Sequence, residues 1–190
     1  MTVNRTVDAI IVGGGGSGLA AAVSAAERGC SVLLLEKQPQ LGGTTGIAVG
    51  SFTANRIPMQ RVAGIDDSLE DHVEDAGRFA PDSIEARNNA ALRRWFLSHS
   101  AETLDWLRDM GLAFHGPNPE PPNRVPRMHN VVPNAKAYIA RLQARFLQLG
   151  GEIQCQAAVK ELLREDGRVV GVRAWIEDHE EVWRAEHGVV

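Results

Sequence analysis

The sequence predicts an α/β fold: a parallel sheet flanked by helices, interrupted by a helical insertion and completed by a small antiparallel β-meander. Three observations carry this expectation. Residues 7–36 read strand, helix, strand around four consecutive glycines. Residues 53–130 hold several helical patterns and a proline-rich stretch. Residues 131–190 read as a helix followed by short strands, with Glu165-Asp166-Gly167 as a hairpin signal.

Each element has a local reason. VDAIIV, residues 7–12, is a buried strand, and SVLLLE, residues 31–36, is a second, apolar without alternation as parallel strands covered on both faces are. Between them residues 16–28 form a helix whose expected contact face is Gly18, Ala21, Ala22 and Ala25, stopped by Gly29. A strand, helix and strand within about 30 residues make a βαβ unit with a right-handed crossover. In the insertion, Ser68 and Asp71 resemble a capping box for a helix through Phe79. Asp82 and Glu85 cap an expected helix carrying Ile84, Ala91, Leu92 and Trp95, and Ser100 starts another with Leu104, Leu107 and Met110 on one face. Residues 116–126 contain five prolines and read as irregular. Residues 134–149 are an amphipathic helix ended by Gly150-Gly151, and residues 153–159 a strand. The hairpin pairs 161–164 with 169–175, and 181–186 adds a third antiparallel strand.

Composition is that of a globular protein: 190 residues, 44% hydrophobic and 23% charged, enough for one domain and part of a second. A net charge of −4 gives no reason to expect nucleic acid or an anionic membrane as partner. The apolar run from residue 9 to 26 is broken by glycines and continues into Glu27 and Arg28, so neither a membrane span nor a cleaved leader is expected. Cys30 and Cys155 form no CxxC pair and read as buried small apolar residues of a reducing compartment; a cytoplasmic protein is expected. No metal site is expected, because His72, His99, His115, His179 and His187 show no ligand spacing and read as surface residues.

The glycines carry the chemistry. Gly13-x-Gly15-x-x-Gly18 lies between a predicted strand and a predicted helix. Gly13 permits the tight turn, Gly15 lets a pyrophosphate approach bare backbone, and Gly18 lets helix and strand close up. The helix N-terminus then offers unpaired N–H groups and a partial positive charge to the phosphates. Gly14 and Gly16 read as spacers whose N–H groups also face the ligand. Glu36, at the end of the second strand and 18 residues beyond Gly18, is placed to accept hydrogen bonds from the ribose hydroxyls of an adenosine. A flexible turn followed by a solvated strand-end acid is the competing structural reading; the order of the elements argues against it. An acid rather than a base here disfavours a 2′-phosphate.

The second glycine stretch, LGGTTGIAVGSF at 41–52, separates two dinucleotides. A simple NAD site leads from its second strand into another helix. A loop with Thr44, Thr45 and bare backbone from Gly46 to Gly50 suits a longer cofactor, the threonines bonding phosphate or ribityl groups and the backbone approaching a flat ring. The reading is a Rossmann-like FAD-binding domain.

The stretch VDAIIVGGGGSGLAAAVSAAERG, then SVLLLEK and LGGTTGIAVGSF, resembles the fumarate reductase and succinate dehydrogenase flavoprotein family, which includes 3-ketosteroid dehydrogenase-like and tricarballylate dehydrogenase-like members. WLRDMGLAF, RVPRMHN and the closing helix, strand and hairpin resemble it too, so the likeness covers essentially the whole chain. By position, the resemblance implies that Gly13, Gly15, Ser17 and Gly18 wrap the FAD pyrophosphate, and that Glu36 holds the adenosine ribose with Lys37 beside it. It further implies that Gly43, Thr44, Thr45 and Gly46 line the phosphates and ribityl chain. Ala48 to Gly50 then lie near the flavin, and the Val159 backbone meets the adenine. Members with covalent flavin carry a histidine in the second loop; this loop has none, which implies non-covalent FAD. A serine frequent at the position of Ala48 is also absent.

The resemblance also implies a third small-residue motif and a substrate-binding domain that residues 1–190 do not contain. The expectation is therefore one FAD-binding domain, as the N-terminal portion of a larger enzyme. It divides into the βαβ unit with second loop (7–52), the helical insertion with proline-rich loop (53–130), and the helix with β-meander (131–190). The implied reaction moves hydride between FAD and a carbon–carbon bond beside a carbonyl or carboxylate of a small-molecule substrate. Its acid or base is expected outside this chain, and its electron partner is not indicated. The alternatives are a non-catalytic nucleotide-binding module and an NAD enzyme. Within the chain, Arg124, Arg127 and His129 are candidates for a cationic wall, with Arg127 and His129 as the substrate-side residues; an exposed loop is the competing reading. Trp95 and Trp106, at helical apolar positions, are expected in the core.

Overall fold

A computed structural model describes residues 4–176 and 179–190. In chain order it contains β1 (Asn4–Val12), α1 (Gly16–Ala26), β2 (Val32–Leu35), a 3-10 turn (Thr45–Ile47), β3 (Ser51–Thr53), α2 (Pro58–Val62), α3 (Leu69–Ala76), α4 (Asp82–Glu85), α5 (Ala90–Ser98) and α6 (Ser100–Asp109). There follow β4 (Ala113–Asn118), β5 (Met128–Val132), α7 (Lys136–Gln148), β6 (Glu152–Gln154), β7 (Ala157–Glu165), β8 (Arg168–Ile176) and β9 (His179–Val189). The chain divides into two compact units. The first is the chain up to Ala48 with Ala135–Val190; the second is Val49–Asn134.

The first unit is a six-stranded mixed sheet of order β6-β2-β1-β9-β8-β7. β1 is parallel to β2, as expected of a βαβ unit, and β2 is parallel to β6. The hairpin of β7 and β8 turns at Asp166 and Gly167, with φ of 48° and 79°. Two consecutive positive φ values match the right-handed twist of the flanking strands. β9 pairs antiparallel with β8, as the sequence indicates, and its other edge runs parallel to β1. One face of the sheet buries Ile10, Leu33, Leu35, Val172, Ala174 and Trp183 together. α1 packs on β1, β2 and α7.

Several local expectations are corrected. The face of α1 that is buried is Leu19, Ala22, Val23 and Ala26, one residue round from the alanines expected, because the larger side chains seek the core. The strand expected over 153–159 is broken into β6 and β7 at Gln156, which adopts φ 55°. Both cysteines are half-buried rather than buried.

The second unit has a three-stranded antiparallel sheet, β3-β5-β4, over a small core of Ala54, Ile57 and Leu104, with Phe52 and Phe114 meeting edge to face at 6.4 Å. Ser68 caps α3, its Oγ accepting from Asp71 N at 3.0 Å. The helix expected to begin at Asp82 is a single turn, and α5 starts afresh from Asn89, whose side chain accepts from Leu92 N. β4 extends into the proline-rich stretch as far as Asn118; Pro117 lies at the break in its pairing with β5, where no ladder N–H is needed. Trp95 is 61% exposed and stacks on His99, not on the core. Trp106 is half-buried. His72, expected on the surface, is buried and bonded to Asn55. No helix among the described residues is long and apolar enough to cross a membrane.

Candidate functional site

The turn from β1 into α1 assigns each glycine a separate physical reason. Gly13 adopts φ 106°, a conformation side chains resist. A Cβ on Gly18 would collide with the Gly13 carbonyl oxygen, so Gly18 is bare to let helix and turn touch. Gly14 is no spacer: a Cβ there would run into the Leu41 side chain, and its N–H donates to Glu36 Oε2 at 2.7 Å. Nor is Gly16, where a Cβ would sit 2.6 Å from Thr45 Oγ1. Gly15 is different. Its φ is −81°, open to any residue, and a Cβ there would find no protein atom nearer than 3.9 Å. Neither conformation nor packing within the protein requires glycine at position 15. A backbone left bare without an internal reason is what the close approach of a pyrophosphate calls for. The N-terminus of α1 beside it has no cap from its own N-cap residue and no acid in its first turn, and so repels no anion.

Glu36 closes the other end of the cradle. It is 7% exposed, not a solvated strand-end acid. Oε2 accepts from Gly14 N and Oε1 from Gln38 N at 2.8 Å. The strand end is clamped as well: Glu36 N donates to Gln154 O, and Ala157 N donates to Glu36 O. This places the start of β7, and with it Val159 two residues on, beside β2. Lys37 is exposed next to Glu36. Burial and then the charge of Glu36 raise the Cys155 thiol above its usual range, which keeps it protonated and unreactive.

The second glycine stretch is docked on the first. Gly42 N donates to Gly14 O at 2.9 Å, Gly15 and Gly42 form an isolated parallel bridge, and Gly16 N donates to Thr45 Oγ1 at 3.3 Å. Gly43, Thr44 and Ser17 are exposed along the same cradle, and Gly46 N is tied back to Gly42 O. Ala48 follows the 3-10 turn and is exposed. Of the expected cofactor residues, Gly13 to Ala48 and Val159 therefore fall in the first unit. Gly50, with φ 96°, belongs to the second, where its carbonyl accepts from Val131 N.

The cationic wall is corrected. Arg127 is fully buried in the second unit, its Nε and Nη2 on Asp67 at 2.8 and 2.6 Å and its Nη1 on Asp75 at 2.7 Å. Arg124 binds Asp75, Glu74 and Asp71. Both guanidinium charges are spent on acids of the same unit. Burial alone would raise the Asp75 carboxyl, but the Arg124 N–H and the two guanidinium groups outweigh it and hold Asp75 at about 2. His129 is buried, with Nδ1 3.3 Å from Phe52 O and Nε2 without a partner among the described residues; burial lowers its pKa.

Sequence reasoning missed Leu41, Gly42 and the backbone of Gln38. One signal was available: the stretch from 13 to 18 holds five glycines where the phosphate-loop spacing requires three, and the surplus pair, Gly14 and Gly16, marks backbone packed against something else.

Comparison with known proteins agrees with this geometry. A family model described as "FAD binding domain" matches residues 8–190. A NADH:fumarate oxidoreductase of Klebsiella pneumoniae is 30% identical over 181 residues, covering 94% of this chain and 19% of the relative. A fumarate reductase (cytochrome) of Shewanella frigidimarina is 38% identical over 106 residues, 56% of this chain and 18% of the relative. The chain thus spans about a fifth of the length of these curated relatives. Among solved structures, the open conformation of a flavocytochrome c3 fumarate reductase superposes with TM-score 0.88 at 25% identity, covering 98% of this chain and 33% of that one. A 3-ketosteroid-Δ4-(5α)-dehydrogenase from Rhodococcus jostii RHA1 superposes with TM-score 0.84 at 26% identity, covering 98% and 45%. With a bare backbone at Gly15, an acid at Glu36 and a second loop bonded to the first, the chain belongs to the FAD binding domain family and is the FAD-binding domain of a fumarate reductase-like flavoprotein.

Proposed function

We propose that this chain is the FAD-holding portion of an oxidoreductase that moves hydride between flavin and a carbon–carbon bond beside a carbonyl or carboxylate. The observation that carries it is Gly15, whose bareness the protein itself does not require. In the proposed complex Gly13, Gly15, Ser17 and Gly18 wrap the pyrophosphate, and Glu36 accepts from the ribose hydroxyls with Lys37 at its rim. Gly43, Thr44, Thr45 and Gly46 follow the phosphates and ribityl chain. Ala48 and Gly50 serve the flavin side, and Val159 the adenine. FAD, when bound, supplies the hydride chemistry. The residues of this chain bind and orient it, and Glu36 discriminates against a 2′-phosphate by charge. The second loop offers no histidine to bond the flavin, so the cofactor is held non-covalently.

The relatives' names include fumarate, acrylate and steroid chemistry, with a vinyl phenol reductase outside that set. Fumarate, acrylate and the steroids place the reacting bond beside a carbonyl or carboxylate, which is the basis for proposing that substrate class. The test is the visible spectrum of the purified chain with added FAD. A bound flavin spectrum, released on denaturation, is expected, and Gly15→Val is expected to lose it while keeping its circular dichroism. Retention of flavin by Gly15→Val overturns the placement, and binding of NAD in preference to FAD overturns the reading of the second loop. Binding of ADP but not FAD favours a nucleotide-binding module without catalysis.

A further inference from the structure

Helix α5 carries its apolar stripe on the side away from its own core. Leu92, Trp95 and Phe96 follow at i, i+3 and i+4, so they share one face about 100° wide, the width of stripe that a helix of a globular protein turns inward. Here each of the three is 58–61% exposed, while Leu97, on the opposite side, is 5% exposed and is the residue that α5 buries. Polar flanks bind the helix to its neighbours. Arg93 holds Glu85 of α4 with two guanidinium nitrogens, at 2.6 and 2.7 Å, and Arg94 holds Glu70 of α3 at 2.6 Å. A Cβ on Gly77 would stand 3.2 Å from Arg93 Nη1, so the chain just after α3 comes in beside the same flank. Ile84 and Phe79, on those two neighbouring segments, are more than half exposed as well. The Trp95 ring is held in place, with His99 stacked on it at 4.6 Å.

Five large apolar side chains, each about half exposed, present on the order of 500 Å² to water. That lies near the top of the range for the largest apolar patch on a lone chain. We propose that this face of α5 is an interface between two copies of this chain, related by a twofold axis that crosses α5 beside Trp95 and Phe96. Two features select a second copy as the occupant. A standard interface takes about 800 Å² from each partner, as an apolar centre within a polar rim. The stripe supplies the centre at that scale, and its flanks supply the rim. The flanking cations Arg93 and Arg94 are also already paired with Glu85 and Glu70. They bring no unbalanced charge that would repel an identical face or attract an anionic lipid surface. In such an isologous pair the two α5 helices run antiparallel, and Trp95 and Phe96 of one copy meet those of the other. A tryptophan near the centre is the usual anchor of such a contact, and the His99 stack holds it ready, which limits the entropy lost on docking. No residue assigned to the cofactor takes part, so the two readings stand or fall separately.

The test is sedimentation velocity of the 190-residue chain from about 1 to 100 μM, the weak end of the range for interfaces of this size. A dimer whose share grows with concentration is expected for wild type. Trp95→Glu and Leu92→Glu, each checked for wild-type circular dichroism, are expected to raise the dissociation constant by about thirtyfold or more, the loss usual for a central anchor. Leu162→Glu changes an exposed leucine on β7 and is the control; it is expected to leave the constant within about twofold. A wild-type chain that stays monomeric across this range overturns the proposal. So does a dimer that Trp95→Glu and Leu92→Glu both leave intact, since the contact then lies elsewhere. Equal weakening by Leu162→Glu marks general stickiness and overturns it too. A monomer that co-sediments with phosphatidylcholine vesicles assigns the face to a membrane surface instead of a second copy.

Discussion

Glu36 in the first unit and Asp75 in the second are both buried carboxylates, and they are satisfied in opposite ways. Glu36 is held by two backbone N–H groups, and no lysine or arginine among the described residues forms an ion pair with it. Asp75 is ringed by Arg127, Arg124 and Arg78. Backbone donors fix an acid in place without neutralising it, and each oxygen keeps a lone pair for a further donor. Guanidinium donors use up both the charge and the lone pairs. The difference separates a carboxylate that keeps acceptor capacity, as its proposed role toward a ribose requires, from one that joins α3 to the segment before β5. It also explains why Arg127, which reads as an exposed cation beside a substrate, is instead structural.

The contrast is sharpest at Arg127. Arg127→Ala leaves the buried Asp67 without its ion-pair partner and takes one of three arginines from Asp75, and breaking a buried pair in this way costs about 3–5 kcal/mol. Urea unfolding should show that loss, and a change below about 1 kcal/mol would break the comparison. Acid should next weaken the second unit, where both His72 and Asp75 lie. Burial, then the Arg127 charge, push His72 down to about 4, with Asp67 and Asp75 opposing. The unfolded chain therefore takes up the proton first, and stability falls as pH drops from 6.5 to 4, by roughly 3 kcal/mol. Asp75 has a lowered folded pKa, so its contribution is intact above 3.8 and is lost as pH falls toward about 2. Urea midpoints across this range, for wild type and His72→Gln, check both: the slope between pH 6.5 and 4 should flatten in the variant.

Glu36→Ala comes third. It removes the acceptor of Gly14 N and Gln38 N, so about 2 kcal/mol of stability should go along with FAD affinity. Full stability with lost FAD binding would show that the two N–H contacts contribute nothing to the fold. Trp95→Gln is the smallest effect, within about 0.5 kcal/mol, because the ring is mostly outside the core.

The parts of this fold that were legible are those whose causes are local. Gly13, Gly15 and Gly18 follow from a spacing of six residues, and Asp166-Gly167 declares its turn through two positive φ positions. The parts that were not legible depend on distant partners. Nothing near Arg127 in sequence announces Asp67, 60 residues back, and nothing near Gly14 announces Leu41. IQCQAAV reads as one strand because its pattern is unbroken; the turn at Gln156 goes with bonds of Gln154, Gln156 and Ala157 to the distant backbone of Glu36 and Gln38. Asn89 is hidden as a cap because Asp82 and Glu85 offer an earlier start that the chain uses for only one turn.

The place of β9 has a consequence for the order of assembly. β1 leaves the ribosome long before β9, one of its two sheet neighbours; Val12 N, beside the glycine turn, bonds Val190 O. Until residues 179–190 emerge, β1 has an open edge and the turn at Gly13 lacks its outer support. Such long-range pairing is slow to form and leaves a nascent edge exposed to other chains. A chain stalled before residue 179 should therefore be prone to aggregate during synthesis, and should gain the support of its glycine turn only when β9 is added.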